Sequence, residues 1–155
     1  MIPEPANRLR ALRGICFALA ASVVLYAGLS WFLIEVAGIE TAPGLPQAVP
    51  LTLTGLAMIL ILLSSRLRGT LMRRALPRTA GLAVSEEAVV AAYLQATLVA
   101  FALLEGAGAL GLVVALLSGE PFYGLALCGA ALLAMATRWP SEGELDRILR
   151  GRLVL

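Results

Sequence analysis

Four long apolar runs alternate with short polar stretches along the chain, at 14–37, 48–65, 88–118 and 122–138. Apolar helices of about 17–25 residues cross the hydrocarbon core of a bilayer; three of these runs fall in that range and the third, 88–118, exceeds it. The pattern predicts an all-α polytopic membrane protein, a single domain of four transmembrane helices with interfacial amphipathic flanks. Two shorter stretches, 66–76 and 141–152, mix leucines with arginines at helical spacing and predict helices lying in the interface.

The connections support this division. Residues 38–50, GIETAPGLPQAVP, hold three prolines and two glycines and predict a loop. The turn Gly119-Glu120-Pro121 is so short that the third and fourth runs must form an antiparallel hairpin. Ser85 followed by Glu86 and Glu87 predicts a helix start. Ser141-x-x-Glu144 is a capping-box pattern opening the last helix. The first run is too long for the apolar core of a cleaved signal peptide and is kept as structure.

Small residues suggest the packing faces. Gly14, Ala18, Ser22, Tyr26 and Ser30 form one row of the first helix. Ala126, Ala130 and Ala134 form a row of the fourth, able to meet Ala107, Gly111 and Ala115 of the third. Such rows let membrane helices approach closely.

Charge then sets orientation. All twelve basic residues are arginine, with no lysine or histidine. They fall at 8–13, 66–78 and 138–152, always on the same side of the alternating runs, and the two opposite loops carry none. The positive-inside rule puts both termini in the cytoplasm of a multi-pass protein. An arginine-only, alanine-rich composition points to a GC-rich bacterial gene and so to the bacterial inner membrane. Because each cluster flanks an apolar run, it reads as a topology determinant, and no nucleic-acid partner is expected. Arg66, Arg68, Arg73, Arg74 and Arg78 are expected to contact lipid head groups or an acidic partner.

Chemistry is sparse. The chain has no histidine, no nucleophile–base pair, no glycine-rich phosphate loop and no metal-ligand spacing. Catalytic residues, cofactors and metals are therefore not expected. Cys16 and Cys128 fall at different depths and are read as packing residues.

One residue stands apart. Glu105 lies near the middle of the longest apolar run. An ionised acid at that depth costs about 2.5–3.5 kcal/mol on insertion scales. It needs a partner, and Tyr26 of the first run is predicted at the same depth, with Ser22 on the same row. Glu105 is a candidate proton- or cation-binding site, or else a hydrogen-bonded pin between helices.

The run Leu103-Leu104-Glu105-Gly106-Ala107, with Gly111-Leu112-Val113-Val114 following, resembles the carboxylate helix of the proteolipid c subunits of rotary ATP synthases. That resemblance implies an ion-binding role for Glu105 in a homo-oligomer. The second run lacks the glycine repeat of that family, and the acid falls on the third helix. The whole chain looks like the small four-helix membrane proteins of bacteria. The expected role is a structural or accessory subunit of a membrane complex, in contact with lipid and with a membrane-protein partner or with itself. The alternative is ion handling through Glu105.

Overall fold

The computed structural model describes residues 5–38, 46–75 and 86–153. It contains five α-helices: α1 (Pro5–Trp31), α2 (Ala48–Ala75), α3 (Glu86–Ser118), α4 (Pro121–Ala136) and α5 (Glu142–Leu153). Among the described residues there is no strand. The Ser85 cap and the end of the second arginine cluster lie outside the described residues.

Three stretches are long and apolar enough to cross a membrane: Asn7–Val36, Ala48–Arg73 and Glu87–Ser118. α4 has 16 residues, which is about 24 Å of helix, less than the roughly 30 Å hydrocarbon core. It ends at Ala136 rather than at 138. The exterior suits lipid. Phe17, Leu25, Leu51, Leu62, Phe122 and Leu133 are each 60% to 71% exposed, far more large apolar surface than water tolerates.

Two elements differ from the sequence pattern. The segment beginning at Arg66 is not a separate interfacial helix up to Ala75; α2 runs through it without a break. Ser64 and Ser65 donate back to the carbonyls of Ile61 and Leu62, at 2.6 Å each, and the helix continues past them. At the other end, α1 passes into one π-helical turn, Phe32–Val36, before Gly38 turns the chain at φ +60°.

α3 is the axis of the bundle and packs against α1, α2, α4 and α5. α1 also packs on α4, whereas α2 and α4 meet only thinly. α3 and α4 join at Gly119, whose φ of +72° suits glycine. Pro121 opens α4 at a position where its missing N–H is harmless.

The buried face of α1 is Leu9, Leu12, Cys16, Val23 and Ser30. Leu9, Cys16, Val23 and Ser30 are spaced by seven, the repeat of helices packed at a shallow angle. Gly14 and Ala18 point outward and are exposed. The row predicted from small residues is therefore turned away from the core at its start. On α4 the buried residues are Gly124, Leu127, Cys128, Ala131 and Met135, while Ala126 and Ala130 are exposed. On α3 the row Ala107, Gly111 and Ala115 is buried as expected.

The physical reason is that close approach needs a small residue on only one of two facing helices. Val23 of α1 sits over Gly108 of α3, where an added Cβ would lie 2.9 Å from a Val23 methyl. Gly111 takes Leu127 in the same way, with an added Cβ 3.0 Å from it. α1, α3 and α4 converge on Gly124, where an added Cβ would stand 2.7 Å from Ser30 Oγ and 2.9 Å from the Ala115 methyl.

Gly124→Ala is expected to destabilise the protein by about 1–3 kcal/mol through overpacking. Gly129→Ala faces open space and is expected to be neutral or stabilising by up to about 1 kcal/mol. Thermal unfolding of the two variants in the same detergent checks the contrast.

Candidate functional site

Glu105 stands on α3 between buried Leu104 and Gly106 and is itself half-buried. Tyr26 on α1 faces it. The Tyr26 hydroxyl donates to Glu105 Oε1 at 2.5 Å, a length typical of hydrogen bonds to a carboxylate.

The sequence offset of this bond is 79 residues, and the Arg8–Glu87 ion pair of the same two helices has the same offset. Arg8 and Tyr26 are 18 residues apart, as are Glu87 and Glu105, which is five turns of α-helix. α1 and α3 therefore run parallel and in register between a polar contact at one end and another five turns further along. Gly108 makes the approach possible, because Val23 occupies the space a side chain there would fill.

Ser22 lies one turn before Tyr26 and is half-buried. Its hydroxyl donates to the Leu19 carbonyl of its own helix at 2.8 Å and is not joined to Glu105. Ser30 similarly donates to the Tyr26 carbonyl at 2.7 Å. These back-bonds satisfy the hydroxyls inside α1. Among the described residues no second donor reaches the Glu105 carboxyl. None of their His, Cys, Asp and Glu side chains form a group that could hold a metal. Cys16 and Cys128 are both buried and free. The buried Thr97 hydroxyl has no hydrogen-bond partner among the described residues.

A second polar cluster, missed in the sequence, lies at the arginine-rich end. Arg68 of α2 donates through Nη2 to both oxygens of Glu144 of α5, at 2.9 Å each. The Tyr93 hydroxyl of α3 donates to the same carboxylate at 2.9 Å, and the Arg68 guanidinium lies 5.6 Å from the Tyr93 ring centre. Arg13 of α1 donates to the Pro140 carbonyl and to Glu142, at 3.2 Å each. Arg138, just past α4, donates to Ser64 of α2 at 2.7 Å. Trp139 meets Phe101 edge-on, with ring centres 6.0 Å apart. α1, α2, α3, α5 and the segment just past α4 all enter this cluster.

The expectation for the second arginine cluster changes accordingly. Arg66 and Arg73 are exposed. Arg68 is turned inward, its side chain only 16% exposed, where it meets the Glu144 carboxylate and the Tyr93 ring in a less screened setting than water. The side chain of Arg74, and Arg78 altogether, lie outside the described residues. The capping box is half made: the Glu144 N–H donates to Ser141 Oγ at 3.2 Å, but the Glu144 carboxylate goes to Arg68 and Tyr93. The available signal was the pair of acids opening α5 on the side where the arginines gather. Their partners, up to 129 residues away, are set by packing alone.

Comparison with protein-family models, curated proteins and solved structures finds no match to this chain.

Arg68→Gln leaves the Glu144 carboxylate without its cation. It is expected to cost about 1–3 kcal/mol, whereas Arg73→Gln, at an exposed position, should stay within about 0.5 kcal/mol of the unsubstituted protein. Thermal unfolding of both variants in detergent, with limited proteolysis to report release of α5, checks this.

Proposed function

We propose that the protein is a four-span protein of the bacterial inner membrane, with both chain ends cytoplasmic, that serves as a non-catalytic structural or accessory subunit of a membrane complex. Three helices of membrane-crossing length and a lipid-like exterior support the placement. α4 supplies the fourth span despite its length. Exposed Phe122 and Tyr123 at one end and Trp139 just past the other match the aromatic belts of the two interfaces. Local thinning of the bilayer accommodates the shortfall at modest cost.

The observation that carries the non-catalytic reading is the Tyr26–Glu105 bond. An intramembrane acid is a functional candidate by default. Here its hydrogen-bonding capacity is directed at a neighbouring helix, in register with an ion pair five turns away. That geometry suits an assembly pin. The exposed small residues of α1 and α4 (Gly14, Ala18, Ala126, Gly129 and Ala130) leave room for a partner helix to approach.

One observation favours the alternative. Glu105 is only half-buried and uses one carboxyl oxygen. A proton or cation bound at the other would make it an ion-handling residue, the role implied by the resemblance to rotary proteolipids.

Modification by a hydrophobic carbodiimide in native membranes separates the two readings. The structural role predicts weak labelling of Glu105 that does not respond to sodium, and a Glu105→Gln variant that inserts and co-purifies with its partner as before. Labelling that titrates with pH and is blocked by sodium, with function lost in an intact Glu105→Gln assembly, would establish ion handling instead.

A further inference from the structure

A charge withdrawn from water is normally paired, because the desolvation penalty otherwise goes unopposed. The arginines with described side chains obey this rule with one exception. Arg8, Arg13 and Arg68 are partly buried and meet Glu87, Glu142 and Glu144. Arg10, Arg66, Arg73 and Arg147 are exposed. Arg138 is partly buried and meets no carboxylate among the described residues.

What Arg138 does meet is an acceptor that orients it without neutralising it. Its Nη1 donates to Ser64 Oγ at 2.7 Å. Ser64 is fully buried, and its own proton goes to the Ile61 carbonyl at 2.6 Å, so its oxygen is held as a fixed acceptor. A guanidinium has five N–H donors, and one is spent on Ser64. Arg68 adds positive charge close by, while Glu144 is already committed to it. The result is a steered cation with no anionic partner among the described residues.

The location suggests the missing partner. Arg138 follows the end of α4 beside half-exposed Trp139, at the arginine-rich end of the bundle. Ser64 belongs to α2, and α2 and α4 meet only thinly. Leu133, on α4 within two turns of Arg138, is strongly exposed and offers apolar surface to an acyl chain. The cytoplasmic leaflet is rich in anionic phospholipid, and the planar guanidinium fork matches two phosphate oxygens.

We propose that Arg138, steered by Ser64, binds the phosphate group of an anionic phospholipid just past the end of α4, beside α2, at the arginine-rich end. The site rests on the membrane placement proposed above but not on the role of Glu105.

The test is native mass spectrometry of the full chain released from nanodiscs of phosphatidylglycerol and phosphatidylcholine. The protein is expected to retain one phosphatidylglycerol. Arg138→Gln should weaken that retention by about tenfold or more, the loss of a charge-assisted hydrogen-bonded contact, whereas Arg10→Gln should leave it unchanged. Ser64→Ala keeps the charge but removes its steering. It should weaken retention severalfold, and it decides the matter should Arg138→Gln not fold. Equal retention in the unsubstituted protein, Arg138→Gln and Ser64→Ala would overturn the site, as would equal loss in Arg10→Gln. Displacement of the lipid by inorganic phosphate would overturn the lipid as its source. Recovery of each variant in the membrane fraction keeps the outcomes separable: lipid lost from inserted protein bears on the site, whereas protein that never inserts bears on the membrane reading.

Discussion

A carboxyl group in the apolar middle of a helix must find a donor, and here that donor comes from another helix. The Tyr26–Glu105 bond sets α1 against α3 at one depth, and the Arg8–Glu87 pair repeats that alignment five turns away. Much of the remaining geometry is built around this alignment. Gly108 lacks a side chain where Val23 must enter, Ser30 reaches the point where α4 crosses at Gly124, and Cys128 of α4 donates to the Gly108 carbonyl at 3.5 Å. Lipid tails are as apolar as leucine, so membrane helices gain little from burial alone. Packing contacts and a few polar bonds must specify which faces meet.

The arginine-rich end answers a different demand. Three of its arginines tie helices together through Glu87, Glu142 and Glu144. α5 is an amphipathic helix whose Leu145 is buried against the bundle, and both described acids of its first turn are held by arginines from α1 and α2. An exposed ion pair contributes little. The Arg68–Glu144 contact is better shielded and shares its carboxylate with Tyr93, so it is the stronger tie between α5 and the spans.

The sequence showed the helices, the hairpin and the depth match of Tyr26 with Glu105, because each follows from counting residues against a boundary. Apolar run length and arginine position locate a residue along the membrane normal. They do not locate it around the helix axis. The rows Gly14–Ala18 and Ala126–Ala130 therefore read as packing faces in the sequence although they face outward, since a small residue suits lipid as well as a helix. The break expected at Arg66 was absent because a change in composition is not a change in backbone preference. The pairing of Arg68 with Glu144 was not legible at all. Several arginines and several acids share that end, and only the packed bundle decides between them.

The central claim is that Glu105 serves to join α1 to α3. A double-mutant cycle on thermal stability in nanodiscs, using Tyr26→Phe, Glu105→Ala and the pair, tests it most directly, because alanine, unlike glutamine, leaves no acceptor for the Tyr26 hydroxyl. If the bond holds the helices together, the double variant should be far less destabilised than the sum of the singles. The expected coupling is about 0.5–2 kcal/mol, the range of polar contacts between membrane helices. Additive losses, with coupling near zero, would contradict the account and leave Glu105 free for another task.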